Sequence, residues 1–204
     1  MILNYKSIFM KKIVLFFTLA ILALSAASSE FVKVIHNTDP EAKCLDGSSP
    51  MVYLHEGGDT KNIVFHLIGG GVCLGLDLQS TLENCYKRSK SEFGSSTKWP
   101  DTYPGADAGV LSTDPSKNAF ANWTKIVMIY CDGSFHQGNN KNAVKYKDAN
   151  LYFRGAVNTR SHFKWADNKY NLSAAEKIVL TGSSAGGIGV YLWQQYLRDM
   201  VEHP

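Results

Sequence analysis

The chain has no surplus of either charge once its first residues are set aside. It carries 21 Lys and Arg against 18 Asp and Glu, but Lys6, Lys11 and Lys12 all precede residue 30 and no acid does. The remainder therefore holds equal numbers of basic and acidic residues. Nucleic acids and anionic membrane surfaces attract clustered positive charge. A neutral chain gives no support to either partner, and neither is expected.

Also lacking is any apolar run long enough to cross a bilayer, which takes about twenty residues. Residues 13–24 are apolar, follow the three lysines and precede the small residues 25–29. This order of positive, apolar and small segments is typical of a secretory signal peptide. We predict a signal peptide over residues 1–27, cleaved near residues 25–29, a secreted mature chain and no stable membrane insertion. An uncleaved anchor or a core helix is the alternative.

Closely spaced cysteine pairs are absent, and no histidine pair lies nearby, which argues against the alternative of a zinc site. In an oxidising compartment an even number of cysteines should pair, and four allow three connectivities. The cysteines are Cys44, Cys73, Cys85 and Cys131. Export also gives meaning to two glycosylation sequons. Asn171 lies in a polar connector and is the predicted acceptor, whereas Asn122 leads into an apolar strand and is expected to be buried.

Low-complexity segments, internal repeats and linkers are absent as well. Short apolar runs alternate with longer mixed segments, which is the pattern of an α/β domain with a mostly parallel sheet flanked by helices. Strands are predicted at residues 51–54, 62–67, 125–130 and 177–181. Helices are predicted at residues 150–165 and 185–200, and a long loop of the kind that builds sites at residues 90–122.

A serine between two glycines stands at a predicted strand-to-helix junction. The segment GSSAG at residues 182–186 fits the Gly-x-Ser-x-Gly nucleophile elbow, with Ser184 as the central serine. Glycines two residues to either side leave room for the sharp turn, and the helix N-terminus behind the serine favours developing negative charge. Ser184 is therefore the predicted nucleophile, and a purely structural turn is the alternative.

A glycine run ends an earlier predicted strand, in the segment HLIGGG at residues 66–71. Acyl transfer passes through a tetrahedral oxyanion, which needs preorganised N–H donors. In lipases and esterases the donors come from such a glycine turn and from the residue after the nucleophile, here Ala185. A phosphate-binding loop is the alternative, but no Lys-Ser or Lys-Thr follows the run and no GxGxxG spacing fits.

Eight stretches in sequence order make the chain resemble the pectin acetylesterase family, which also includes the Notum carboxylesterases. They are CLDGS (44–48), HLIGGGVC (66–73), GSS (94–96), GVLS (109–112), NW (122–123), YCDGS (130–134), FRGA (153–156) and GSSAGG (182–187). The chain departs from the family pattern at Ile68 and Val72, where Glu and Trp are usual, and at Ser183, where plant members have Cys.

The resemblance implies an α/β-hydrolase fold and serine esterase chemistry with no metal or organic cofactor. It implies Ser184 as the nucleophile and three oxyanion-hole donors, at Gly70, Gly71 and Ala185. It further implies the disulfides Cys44–Cys131 and Cys73–Cys85. The expected substrate is an ester-bearing glycan, such as the acetylated pectin of the cell wall, or an acylated protein as for Notum.

A partner acid and base for Ser184 are missing. In an α/β hydrolase they follow the serine in the order Asp or Glu, then His. Only Asp199, Glu202 and His203 follow here, and a continuous helix would carry His203 about 28 Å away. We therefore predict that residues 28–204 are the N-terminal portion of an α/β-hydrolase domain whose C-terminal part, with the acid and base, is missing.

Two classes of function remain open on the sequence alone. The first is a secreted serine ester hydrolase, preferably a polysaccharide O-deacetylase, of which this chain is an inactive fragment or a truncated product. A Notum-like deacylase of a lipidated protein belongs to the same class. The second is a non-catalytic member that binds a glycan or an acyl group. A serine peptidase on the same fold has no comparable set of motifs to support it.

Overall fold

The computed structural model describes residues 30–106 and 108–203. The predicted signal peptide, residues 1–27, lies outside the described residues. Five strands form the central sheet: β1 (Val32–Ile35), β2 (Met51–His55), β3 (Asp59–Leu67), β4 (Trp123–Met128) and β7 (Lys177–Gly182). Their order across the sheet is β1-β2-β4-β3-β7. The four predicted strands are all present, and β1 is an addition that the sequence reading did not anticipate.

Four of these five strands run in the same direction. β4, β3 and β7 pair in parallel, whereas β2 lies antiparallel between β1 and β4. In the parallel part, Leu67 of β3 is in register with Met128 of β4 and with Gly182 of β7. The carboxyl ends of three parallel strands therefore meet at one edge of the sheet, which is where ligands bind in open α/β sheets.

In the described residues the sheet is accompanied by three short 3₁₀ helices, three α-helices and one hairpin. The α-helices are α1 (Leu78–Arg88), α2 (Gly155–Tyr170) and α3 (Ala185–Glu202), and the hairpin strands are β5 (Val144–Tyr146) and β6 (Ala149–Leu151). The predicted helix at 150–165 is correct in kind but wrong in its start, because residues 149–151 pair with β5. Helix α1 was not predicted. It begins at a capping box in which the Asp77 carboxylate accepts the Ser80 N–H.

The two faces of the sheet are covered by different kinds of structure. On one face, side chains such as Phe65 and Met128 pack against Phe163 of α2 and Trp193 of α3. On the other face, Tyr53 and neighbouring side chains pack against the loop that follows α1, through residues that include Trp99, Tyr103 and Leu111. Five of the six residues of β4 are buried, and four of the six are apolar, as expected for a strand covered on both faces.

The side of the molecule formed by β7 and α3 is more exposed than the two faces of the sheet. β7 is an edge strand whose residues are mostly half-exposed, and the outward face of α3 presents Tyr191, 82% exposed, beside Ile188, Leu192 and Tyr196. A cleft of about 300 Å³ lies between β7 and the far half of α3, and Ser184 is not among its lining residues. None of the helices in the described part of the chain is both long and apolar enough to span a membrane.

Candidate active site

The turn between β7 and α3 holds Ser184 in a strained conformation. Its backbone has φ 51° and ψ −122°, a region that residues with a side chain rarely adopt. The residue is exposed, and its side chain makes no capping hydrogen bond to α3 although it occupies the N-cap position. The hydroxyl therefore lies at the helix N-terminus but does not cap the helix.

The glycines on either side of Ser184 have no space for a side chain. A Cβ at Gly182 would lie 2.4 Å from the Gly186 carbonyl oxygen, and a Cβ at Gly186 would lie 2.0 Å from the Leu67 carbonyl oxygen. Backbone thus packs on backbone at the junction of β3, β7 and α3. This close packing is the physical reason for the Gly-x-Ser-x-Gly spacing read from the sequence.

The glycine run after β3, residues 69–71 (the glycine bend), lies directly against this turn. Ser183 donates its N–H to the Leu67 carbonyl at 3.1 Å. A Cβ at Gly69 would lie 2.7 Å from the Ser184 Cβ and 2.5 Å from the Ser183 carbonyl oxygen. Because β3 and β7 are paired up to Leu67 and Gly182, the glycine bend and the serine turn leave the sheet side by side.

The other predicted oxyanion-hole residues belong to this same junction. Gly70 and Gly71 have φ values of +147° and +76°, which glycine adopts without strain. Ala185 is buried at the first position of α3, where a helix N–H has no acceptor within the helix. The structure thus brings Ser184, Ala185 and the glycine bend together, and their catalytic roles stay predictions.

Both disulfides implied by the resemblance are present. Cys44 pairs with Cys131, and Cys73 pairs with Cys85. The second bond ties the residue just after the glycine bend to α1. Cys73 also donates its N–H to the Gly133 carbonyl at 2.8 Å, so the end of the bend is fixed at two points.

Arg88 is the residue near the bend that the sequence analysis missed. Its Nη2 donates to the Gly70 carbonyl oxygen at 2.5 Å, and its guanidinium carbon lies 5.2 Å from the ring centroids of both Phe93 and Tyr130. No motif marks this position in a single sequence. Its place as the last residue of α1, one turn after Cys85, is the only signal that connects it with the bend.

Three buried histidines, His36, His136 and His162, make their hydrogen bonds with groups other than the serine hydroxyl. His136 is buried beneath the bend, with its Nε2 3.0 Å from the Ile68 carbonyl oxygen, and burial lowers its pKa. His36 and His162 contact each other at 2.8 Å. His203 ends α3, eighteen residues after its start, at the opposite end of the helix from Ser184.

The loop after β4 is organised by its own hydrogen bonds. Asp132, buried, accepts from the Ser134 N–H and hydroxyl, and the Ser134 hydroxyl in turn accepts from the Gly138 N–H at 2.8 Å. A Cβ at Gly155 would collide with the Asp132 carboxylate. These residues fix the loop against the start of α2. In the described residues, no group of three or more His, Cys, Asp or Glu is placed to hold a metal ion.

The two sequons differ from expectation in one respect. Asn171 is exposed at the end of α2 in a left-handed conformation, so its side chain is reachable, and its glycosylation stays a prediction. Asn122 is also exposed, and the expectation that it is buried was wrong. It precedes the buried part of β4, and its Oδ1 accepts the Gly58 N–H at 3.1 Å.

Comparison with known proteins gives a consistent set of relatives. A family model described as Pectinacetylesterase matches residues 24–204. The chain is 35% identical to "Pectin acetylesterase 5" of Arabidopsis thaliana over 161 residues, which are 78% of this chain and 35% of that protein. It is 32% identical to "Palmitoleoyl-protein carboxylesterase NOTUM" of Homo sapiens over 164 residues, 78% of this chain and 30% of the relative. The chain thus spans about a third of the length of these relatives.

A solved structure supports the fold. The Wnt deacylase Notum from Drosophila superposes with a TM-score of 0.73 at 23% identity, over 85% of this chain and 49% of that one. The described residues therefore have an α/β-hydrolase-like fold, with a mostly parallel sheet and helices.

Proposed function

Because this chain belongs to the pectin acetylesterase family, we propose that it is a secreted serine carboxylic ester hydrolase with Ser184 as its nucleophile. One observation carries the proposal: the exposed Ser184 stands on a strained turn against the glycine bend. A purely structural turn gains nothing from a serine at positive φ, where glycine costs less. The two disulfides are typical of a secreted protein.

The proposed reaction is a two-step acyl transfer. Ser184 Oγ attacks the ester carbonyl carbon while a histidine base takes its proton. The carbonyl oxygen becomes an oxyanion that accepts hydrogen bonds from the N–H groups of Gly70, Gly71 and Ala185. The bond to the alcohol oxygen breaks, and the alcohol leaves with the proton from the histidine. Water then attacks the acyl-serine, which releases the acid and restores Ser184.

The acid and the base are proposed to come from polypeptide that packs along the open edge of β7. A parallel strand added there would end beside Ser184, because the carboxyl ends of parallel strands meet at one edge. The uncovered apolar face of α3 would be buried by the same addition. Sequencing the transcript beyond the codon for Pro204 tests this directly, and we expect an Asp followed by a His.

The first substrate class is an O-acetylated glycan, in line with the relatives named pectin acetylesterase. A second candidate, removal of a long acyl group from a protein, is favoured by one feature. Leu74, Leu76 and Leu78, which follow the glycine bend, are all strongly exposed. Exposed apolar side chains beside a site can pack against an apolar ligand. Relatives named palmitoleoyl-protein carboxylesterase are consistent with this candidate.

The test uses the full product of the transcript and its variants Ser184→Ala and Ser183→Ala, with p-nitrophenyl acetate as substrate. We expect Ser184→Ala to lose at least about a thousandfold in kcat, as for other serine hydrolases without their nucleophile. Ser183→Ala, one position away, should keep near wild-type activity. Equal turnover by wild type and Ser184→Ala would reject the proposed nucleophile.

Acyl length separates the two substrate candidates. Faster hydrolysis of the acetyl ester than of a palmitoyl ester supports the deacetylase. The reverse order, with Leu76→Ser lowering only the palmitoyl rate, supports deacylation of a lipidated protein. A wild-type protein that hydrolyses neither ester but retains acetylated pectin in a binding assay would be a non-catalytic member.

A further inference from the structure

The glycine bend is held from one side by the C-terminal turn of α1. Cys85 and Arg88 lie three residues apart on this helix and therefore face the same side. Cys85 is bonded to Cys73, just after the bend, and Arg88 donates to the carbonyl of Gly70 within it. The helix is thus attached to the bend at two points, by the disulfide just after it and by the hydrogen bond to its middle residue.

Arg88 is enclosed on several sides by residues around the bend. Phe93 and Tyr130 flank the guanidinium, each with its ring centroid 5.2 Å from the central carbon. A Cβ at Gly70 would lie 2.4 Å from the Phe93 ring, and a Cβ at Gly71 would lie 3.8 Å from Arg88 Nη1. The side chain therefore fits against a backbone that only glycine allows to approach.

Arg88 forms no ion pair within the part of the chain that the structure describes. Among the described residues, no carboxylate lies within salt-bridge distance of its guanidinium. The nearby Asp132 accepts from Ser134 instead, and Arg88 Nε is buried with no hydrogen-bond partner in the described chain. Burial lowers the pKa of Arg88, but an arginine stays protonated at neutral pH. A positive charge therefore lies directly behind the peptide that joins Gly70 to Gly71.

The geometry of that peptide links Arg88 to the reaction. In a trans peptide the C=O and the N–H point in opposite directions. With the Gly70 carbonyl fixed on Arg88, the Gly71 N–H points away from the guanidinium. At the positive φ of both glycines, the peptide has other accessible orientations when nothing holds it. A fixed donor stabilises an oxyanion better than a mobile one, since it needs no reorganisation during the reaction.

We propose that Arg88 is a positioning residue that holds the Gly70–Gly71 peptide so that the Gly71 N–H serves the oxyanion formed at Ser184. The role rests on the proposed function, because Ser184 and the glycine bend are themselves proposed catalytic groups. Arg88 touches neither the substrate nor Ser184 in this arrangement, and acts through the peptide.

The kinetic test compares Arg88→Ala with Lys87→Ala. Lys87 is an exposed cation of the same helical turn, 3.8 Å from Glu83, and serves as the control. We expect Arg88→Ala to lower kcat for p-nitrophenyl acetate about a hundredfold with little change in KM, the effect of losing one oxyanion donor. Lys87→Ala should change neither constant. Guanidinium ion at a non-denaturing concentration should restore part of the rate to Arg88→Ala, which a misfolded variant would not allow.

A second readout does not depend on activity. In a crystal structure of Arg88→Ala we expect the Gly70 carbonyl to leave its wild-type direction while the Ser184 turn is unchanged. The proposal would be overturned if the peptide does not move in Arg88→Ala. It would also be overturned if the variant loses activity through a higher KM and guanidinium ion does not restore it. If wild type and Ser184→Ala hydrolyse the ester equally, the proposed function fails, and the peptide orientation still decides whether Arg88 positions the bend.

Discussion

At the scale of single residues, the site depends on places where a side chain does not fit. Gly186 lies against the Leu67 carbonyl, and Gly69 lies against Ser184. The strained φ of Ser184 persists because the surrounding backbone leaves the turn no other path. The strained conformation costs free energy, and the packing of β3, β7 and α3 around the turn offsets that cost.

Gly186→Ala and Gly187→Ala should change the free energy of unfolding in opposite directions. A Cβ at Gly186 would lie 2.0 Å from a backbone oxygen, so the β3 end or the turn has to move, whereas a Cβ at Gly187 would lie 3.6 Å from its nearest neighbour. We expect Gly186→Ala to lower the free energy of unfolding by about 3 kcal/mol, as overpacking does. Gly187→Ala should raise it by up to about 1 kcal/mol, since alanine favours helix. Urea denaturation measures both, and similar effects of the two variants would contradict the packing described for the turn.

At the scale of elements, a histidine pair joins the chain after β1 to α2. His36 and His162 are buried, and their ring nitrogens lie 2.8 Å apart. Trp165 of α2 stacks on His36, and the Thr38 hydroxyl lies 3.3 Å from its other ring nitrogen. Burial lowers the pKa of His36 to about 4 and also lowers that of His162.

The pair should make the fold sensitive to acid. Because the folded pKa of His36 is below the unfolded value of about 6.5, the unfolded chain binds more protons as the pH falls. Stability is therefore highest above pH 6.5 and is lost between about pH 6.5 and 4, by about 3 kcal/mol from His36 alone. We expect His36→Gln to reduce this loss when unfolding is measured at pH 7 and at pH 4.5. An unchanged difference between the two pH values would show that the pair is not its source.

At the same scale, β7 and α3 each have one side packed in the core and one side exposed. Each element packs one side into the core, through residues such as Leu180, Trp193 and Leu197. The other side of α3 carries Tyr191 and Leu192, which are both exposed in the described chain. Apolar patches of this kind mark interfaces, which is why the proposed acid and base are assigned to polypeptide that packs here.

At the scale of the whole molecule, the two disulfides close loops of very different length. Cys44 and Cys131 are 87 residues apart, whereas Cys73 and Cys85 are 12 apart. The long bond joins the loop before β2 to the loop after β4, and the short one joins the residue two positions after the glycine bend to α1. Their contributions to stability should differ because a crosslink restricts the unfolded chain more when the loop is longer.

Removal of the long disulfide should cost more stability than removal of the short one. Loop-closure entropy gives about 4.6 kcal/mol for the Cys44–Cys131 pair and about 2.8 kcal/mol for the Cys73–Cys85 pair. Double alanine variants of each pair, compared by urea denaturation, measure the two losses. The larger loss should fall on the variant without Cys44 and Cys131, and a reversed order would mean that local strain outweighs the chain entropy. The short disulfide should matter more for ester hydrolysis because it holds the bend.

Much of the site was predictable from the sequence, since its essential features are local. A serine between glycines after an apolar run indicates a strained strand-to-helix turn, because no larger residue fits beside that backbone. The alternating and continuous apolar patterns of β2, β3, β4 and β7 likewise predict strands from burial alone. The start of α2 was misplaced, because the three residues of β6 have no strong signal until β5 is present to pair with them.

The sequence by itself determined the serine turn, the glycine bend and the α/β alternation, since these depend on backbone freedom and burial within a few residues of one another. Only the tertiary structure decided that the bend touches Ser184, that Arg88 grips Gly70 and that His36 meets His162. Those contacts join residues 115, 18 and 126 positions apart. They exist because the order and register of the strands bring distant segments to the same edge, which no local pattern specifies.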